Sequence, residues 1–263
     1  MKFGICASFR DILTLDHIAF DYLEENVQRF LVPEQPAPYF EELLAEARAL
    51  PIPIETANVL IPSNLPLVAT PTQQVDTARL ERYIKTVLQR AEQVGIRVIV
   101  FGSGGARACP HGYDHQDAVQ QIGQHLAIWS EWAGNHGVQF VLEPLRYEET
   151  NILNTVAESG ALVASLGESG ARLLVDTYHM ACNREAPETI SPYLPLIAHV
   201  HVAEQQDRAA PGQHGEDLRP YFTVLRQGGY SQRISIECNW HDFPAEVNQA
   251  VSVLKEQWET AIQ

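Results

Sequence analysis

The sequence predicts an α/β chain folded as a closed (β/α)8 barrel, on three observations. Short apolar, β-branched runs alternate with helical patterns along the chain, and that alternation requires a parallel sheet covered by helices. Eight such units fit into 263 residues, the ordinary size of one eight-stranded barrel, so residues 1–263 read as one domain. Four of the runs end on a carboxylate or a histidine, as strands do where their C-terminal ends build a site at a barrel rim.

Taken in order, residues 2–8 form a short strand ending in small residues, followed by a helix-like turn at 14–18. The second strand, 22–27, carries Glu24 and Glu25, either of which could supply a lumen carboxylate. Pro33, Pro36 and Pro38 break the chain before a helix at 38–50, where Phe40, Leu43, Leu44 and Ala47 recur at the 3-4 spacing of one face. A third strand, 54–61, runs into a Pro- and Leu-rich loop ending near Pro71, whose length suggests a binding lid. A helix at 76–95, with Asp76 as N-cap and Gly95 as its stop, precedes the β-branched strand 97–101.

Gly102-Ser103-Gly104-Gly105 then reads as a tight βα loop; it lacks the dinucleotide fingerprint, and a phosphate cradle completed by Arg107 is the minor alternative. The helix 114–136 carries Trp129 and Trp132 at packing positions and leads into the strand 140–143. Helical segments at 151–166, 187–196 and 218–227 lead to strands 173–176, 198–201 and 234–237, and a last helix covers 244–262. Trp240 and His241, just beyond Glu237, either line the pocket or cover the barrel end.

Strand periodicity sorts the side chains. Val141 and Glu143 share the face opposite Phe140 and Leu142, and Ser235 and Glu237 the face opposite Ile234 and Ile236, which aims both carboxylates into the lumen. His199 and His201 also point inward, with Ala198, Val200 and Val202 turned toward the helices. His201 is nearer the rim, and His199 lies a layer beneath. With Asp176 this gives Glu143, Asp176, His201 and Glu237 at four strand ends. Three buried carboxylates repel one another in low dielectric unless a cation balances them. Mixed carboxylate and imidazole donors suit one divalent ion, with Mn²⁺, Co²⁺, Mg²⁺ and Zn²⁺ all open.

Composition narrows the partners. The chain holds 18 basic and 33 acidic residues, a net charge of −15, which disfavours nucleic acid and anionic membrane surfaces. No run of about 18 apolar residues and no signal-type N-terminal segment is present, and Cys6, Cys109, Cys182 and Cys238 are scattered without a CxxC pair. A soluble, cytoplasmic protein with reduced thiols is expected, and its oligomeric state, homo-oligomer included, is open.

The ordered motifs Leu142-Glu143-Pro144-Leu145 with Glu149-Thr150-Asn151, Val175-Asp176-Thr177-Tyr178-His179-Met180, His199-Val200-His201-Val202-Ala203-Glu204 with Arg208 and Pro211-Gly212, and Ser235-Ile236-Glu237-Cys238 resemble a known family. It is the sugar isomerase/epimerase branch of the xylose-isomerase-like TIM barrels, of D-tagatose 3-epimerase type. Asn58-Val59-Leu60-Ile61-Pro62 and Phe101-Gly102-Ser103-Gly104-Gly105-Ala106-Arg107 extend the resemblance over the chain. The resemblance implies that Glu143, Asp176, His201 and Glu237 hold the metal, that Glu143 and Glu237 also exchange protons with the substrate, and that His179, Glu149 and Arg208 bind sugar oxygens. Two departures bear on the substrate: Arg146-Tyr147 stands where those epimerases have Asn and Arg, and Arg208 comes one residue later.

The implied reaction is isomerisation or epimerisation of a sugar, sugar phosphate or cyclitol by proton transfer through a metal-stabilised enediolate. Alternatives are an inosose dehydratase-like lyase and, disfavoured by the charge, a DNA-repair enzyme of the endonuclease IV type. A fourth is a non-catalytic barrel that only binds a sugar or metal.

Overall fold

Apolar side chains on both faces of each strand segment demand a sheet covered on both sides. In the computed structural model, which describes residues 1–261, eight such strands close into a parallel barrel in sequence order. They are β1 (Lys2–Cys6), β2 (Tyr22–Asn26), β3 (Ile54–Asn58), β4 (Val98–Phe101), β5 (Gln139–Leu142), β6 (Arg172–Asp176), β7 (Ile197–Val202) and β8 (Arg233–Ile236). β8 closes on β1 with Ser235 opposite Gly4.

Most of the core lies between barrel and helices, where Trp129 packs edge-on against Phe101 and tilted against Phe140. The lumen holds a small apolar plug of Val98, Val100, Val141, Leu174 and Ala198 beneath the rim. Long helices cover the outside at Thr77–Val94, His115–Gly134 and Phe243–Thr260. Asp76 and Asp114 accept backbone N–H bonds at the first two starts, and Gly95, at φ 94°, ends the first helix. No described helix is long and apolar enough to cross a membrane.

Several boundaries differ from those expected, for local reasons. The first helical turn is Phe9–Ile12, capped by Ser8, rather than 14–18. β3 stops at Asn58 because Val59 takes a left-handed φ of 54°. The segment expected to be helical from 151 starts at Val156, where Thr155 and Glu158 make a reciprocal capping box. Residues Pro187–Leu196 wind as a 3-10 helix, since Pro192 and Pro195 supply no N–H for α-type bonds. The expected last helix reaches Thr260; Ile262 lies outside the described residues.

Two corrections concern the site. Ala198, expected to face the helices, packs with the lumen plug because the β6–β7 register slips between Leu173 and Leu174. The loop at 62–71 is no lid. Leu65, Leu67 and Val68 are buried, and Gln121 of the neighbouring helix bonds both the N–H and the carbonyl of Ala69 at 2.7 and 3.1 Å.

After β2 the chain turns through Val27–Leu31 in a wide helical turn that ends at Val32, φ 40°. Arg90, buried on the Thr77–Val94 helix, donates to the carbonyls of Leu31 and Gln35 at 2.8 Å each and to that of Val32. Its guanidinium lies 4.9 Å from the Phe40 ring centroid. Replacing it leaves those carbonyls unpaired away from water. Arg90→Met is expected to lower the unfolding free energy by about 2–3 kcal/mol in a urea titration; an unchanged midpoint would show that water satisfies the turn instead.

Candidate metal centre

Each strand-end side chain arrives at the rim for a backbone reason. Glu143 follows β5 directly, and Pro144 ends the pairing there. Its Oε2 is so close to Gly102 that a Cβ at that position would lie 2.3 Å away. Asp176 ends β6 and caps the next helix, its Oδ1 accepting from Tyr178 N at 2.8 Å. His201 lies on β7. Glu237 follows β8, with its N–H on the Val202 carbonyl at 3.0 Å.

These four meet. One donor atom from each of Glu143, Asp176, His201 and Glu237 lies within 4.8 Å of every other. His201 Nδ1 is 3.1 Å from Glu143 Oε1 and 3.4 Å from Glu237 Oε2. Glu143, Asp176 and His201 are buried, and Glu237 is the most accessible, lining a cleft of ≈ 590 Å³ with Cys6, Phe9, Asn58 and Arg208. Asp176 Oδ2 is buried with no hydrogen-bond partner, while three carboxylates and one imidazole nitrogen face one point. That donor set fits a divalent cation, and an unpaired buried carboxylate oxygen is what such an ion would satisfy.

The surrounding charges act unequally on the two glutamates. Burial pushes the Glu143 carboxyl up, reinforced by Glu237 and opposed by His201. Burial acts in the same direction on Glu237, but His201 and Arg208 overcome it and hold the group at about 2. Asn58 Nδ2 donates to Glu237 Oε1 at 2.7 Å, and Arg208 bonds its other oxygen.

The remaining sequence-predicted residues form the wall next to this cluster. His179 Nε2 lies 3.5 Å from Asp176 Oδ2, and its Nδ1 accepts from Arg146 N at 3.3 Å. Arg208 Nη2 lies 3.7 Å from Asp176 Oδ2, and its guanidinium carbon lies 4.8 Å from the Tyr178 ring centroid. Glu149 pairs with Arg146 at 2.8 Å and reaches Arg208 at 4.0 Å, farther from the four donors than the others. Arg208 sits in a left-handed pair with Asp207, φ 50° and 59°, pinned by Asn239 N on its carbonyl at 2.7 Å. Buried Glu204 anchors the same loop by accepting the N–H groups of Gly212, His214, Gly215 and Glu216 at 2.5 to 3.1 Å.

Arg107 is not a phosphate ligand. It is fully buried and donates to the carbonyls of Phe101 and Leu153 at 3.2 and 3.3 Å. Trp240 packs on Phe243 and takes no part in lining the cleft. The group left without a role by the sequence is Glu24. It lies in the lumen at the bottom of the cleft, bonded to His199 Nε2 and His201 Nε2 at 2.7 and 2.9 Å. Paired acidic residues on a short strand were the available signal, and only the fold tells which of the two points inward.

Residues 14–257 match the model of a family described as the xylose isomerase-like TIM barrel. A 141-residue stretch is 28% identical to D-psicose 3-epimerase of Agrobacterium fabrum, covering 51% of this chain and 48% of that one, so the chain spans about half the length of that relative. Among solved structures, D-allulose 3-epimerase from Methylomonas sp. in complex with D-allulose superposes with a TM-score of 0.82 at 19% identity, over 98% of this chain and 97% of that one. The IOLI protein, solved with a binding zinc atom, gives a TM-score of 0.70 at 16% identity over 100% and 98% of the two chains. These structural likenesses show the fold.

Glu25 faces the other way from Glu24, accepting the N–H of Phe9 and, at 2.9 Å, that of Asn26. Burial raises its carboxyl to about 7 despite these bonds. A folded-state value above the unfolded one means the folded form binds the extra proton between the two, so stability falls as pH rises through that window. Between pH 4.5 and 7 Glu25 is expected to remove about 3 kcal/mol of stability, and Glu25→Gln to abolish that slope. Urea unfolding of both proteins at pH 4.5 and 7.5 measures this, and a stability gap independent of pH would contradict it.

Proposed function

Because the chain belongs to the xylose isomerase-like TIM barrel family, we propose that it is a divalent-metal-dependent enzyme that isomerises or epimerises a small ketose-type carbohydrate. The observation that carries this reading is the convergence of one donor atom each from Glu143, Asp176, His201 and Glu237 within 4.8 Å. The identity of the related epimerases supports the substrate class, and the zinc in a structural neighbour supports the ion.

Glu143, Asp176, His201 and Glu237 would hold the ion. When bound, it supplies Lewis-acid stabilisation of the negative charge that develops on neighbouring oxygens as a carbon beside a carbonyl loses its proton. The protein's own groups do the rest. Glu143 and Glu237 come from β5 and β8, three strands apart, so they approach one point from different sides of the lumen. One takes the proton from carbon and the other returns it. Return to the opposite face of the same carbon gives an epimer, and return to the adjacent carbon an aldose–ketose isomer. Arg208, His179 and Glu149 supply donors and acceptors for sugar hydroxyls beside the cluster. Glu237, open to the cleft, meets the substrate first, with Asn58 fixing its orientation.

Incubation with a panel of free ketoses, sugar phosphates and inososes in D₂O, with Mn²⁺ or Co²⁺, is expected to show solvent deuterium entering a carbon of at least one. Elemental analysis should find one divalent ion per chain; none after reconstitution, or three zinc ions, would overturn the assignment. Glu143→Gln and Glu237→Gln keep a ligating oxygen but remove the proton acceptor, so turnover should drop by about 10²–10⁴-fold. Parent-level turnover by either metal-loaded variant would assign the proton transfer elsewhere.

A further inference from the structure

We propose that Glu24 is a positioning residue for the metal centre: its buried carboxylate accepts the Nε2–H of His201 and thereby presents the Nδ1 lone pair of that ring to the ion. The inference rests on the metal reading above and adds a residue outside the four donors. A neutral imidazole carries one N–H, so whichever nitrogen bonds a carboxylate acceptor leaves the other free for a metal.

The geometry divides the ring in that way. His201 Nε2 is 2.9 Å from Glu24 Oε1, while Nδ1 faces Glu143 Oε1 and Glu237 Oε2 at 3.1 and 3.4 Å. Nε2 therefore points down into the barrel and Nδ1 up to the cluster. Glu24 is itself immobilised from several strands. Its Oε2 accepts from Thr56 Oγ1 of β3 at 2.8 Å, from Ser235 Oγ of β8 at 2.7 Å and from His199 Nε2 of β7 at 2.7 Å. Tyr22 OH and Ser235 Oγ are 2.8 Å apart, and Tyr22 reaches there only because residue 4 is glycine: a Cβ on Gly4 would lie 2.3 Å from its ring. The other nitrogen of His199 has no partner, so the one N–H of that ring is committed to Glu24.

A purely structural acceptor would not require a full carboxylate, yet here both oxygens meet donors and an amide could offer only one. Three donors converge on Oε2 and one on Oε1, so in Glu24→Gln the amide oxygen takes the Oε2 place and the N–H₂ faces His201 Nε2. Either His201 changes tautomer, which puts a hydrogen on the nitrogen that faces the cluster, or it loses its restraint.

The test uses the whole chain. Competition with a chromophoric chelator should show the Zn²⁺ dissociation constant of Glu24→Gln raised about 10–100-fold, the range typical of lost partners behind a ligand. The visible spectrum of the Co²⁺-loaded variant should shift. In a His201→Ala background, Glu24→Gln should weaken binding no further, because its effect travels through that ring. An unchanged dissociation constant and Co²⁺ spectrum in folded Glu24→Gln would overturn the proposal, even if thermal stability fell. Should the variant not fold, ¹⁵N NMR of the imidazoles in the unmodified, zinc-loaded protein decides: Nε2–H on His201 is expected, and Nδ1–H would overturn it. If the unmodified protein binds no metal, the metal reading itself fails, an outcome distinct from binding that ignores Glu24.

Discussion

The structure is organised around a crowd of like charges in a poorly solvated space. Glu24, Glu143, Asp176 and Glu237 point into the upper lumen of one barrel, where water cannot screen them as it does at the surface. The protein answers in layers. Imidazole N–H groups and hydroxyls meet Glu24 at the bottom of the cleft, and Arg208 meets Glu237 at the mouth. Between them Asp176 keeps an oxygen without a donor. The register slips at Leu23/Glu24 and at Leu173/Leu174 leave Glu55 of β3 and Ala198 of β7 as extra residues, each just before a residue that meets Glu24, namely Thr56 and His199, so the irregularities of the sheet belong to the site.

Much of this was readable from residue order. The eight-unit alternation gives a closed barrel because parallel strands joined by helices have few other ways to cover both faces. Glu143 and Glu237 were placed inward by counting in twos along regular strands. The same counting misplaces Ala198, because it is the extra residue opposite the Leu173–Leu174 step and shares the lumen side with His199, and such a bulge leaves no mark in composition. Glu24 and Glu25 are adjacent, so alternation sends one inward and one outward without saying which. The 3-10 segment was visible in hindsight through Pro192 and Pro195, whereas the fate of the loop at 62–71 depended on Gln121, fifty residues downstream.

Arg208 shows how a distant anchor prepares a site residue. Two consecutive non-glycine residues in the left-handed region are costly, and such strain persists only where neighbours impose it. Here the neighbours are the segment after β8, through Asn239, and the loop gathered by the Glu204 carboxylate. The cationic head is delivered to Glu237 by restraints on its backbone, while Tyr178 supplies a flat surface beside it.

Gly102 carries a consequence for how this sequence can drift. Its backbone does not lie in the left-handed region, so nothing in its own conformation asks for glycine. The demand comes from the oxygen of Glu143 occupying the space where a side chain would begin. Position 102 is thus a gauge for position 143. Any side chain at 102 obliges the carboxylate opposite to swing away from the place it holds here, so the room for the charge at 143 is set by the absence of atoms on a neighbouring strand end.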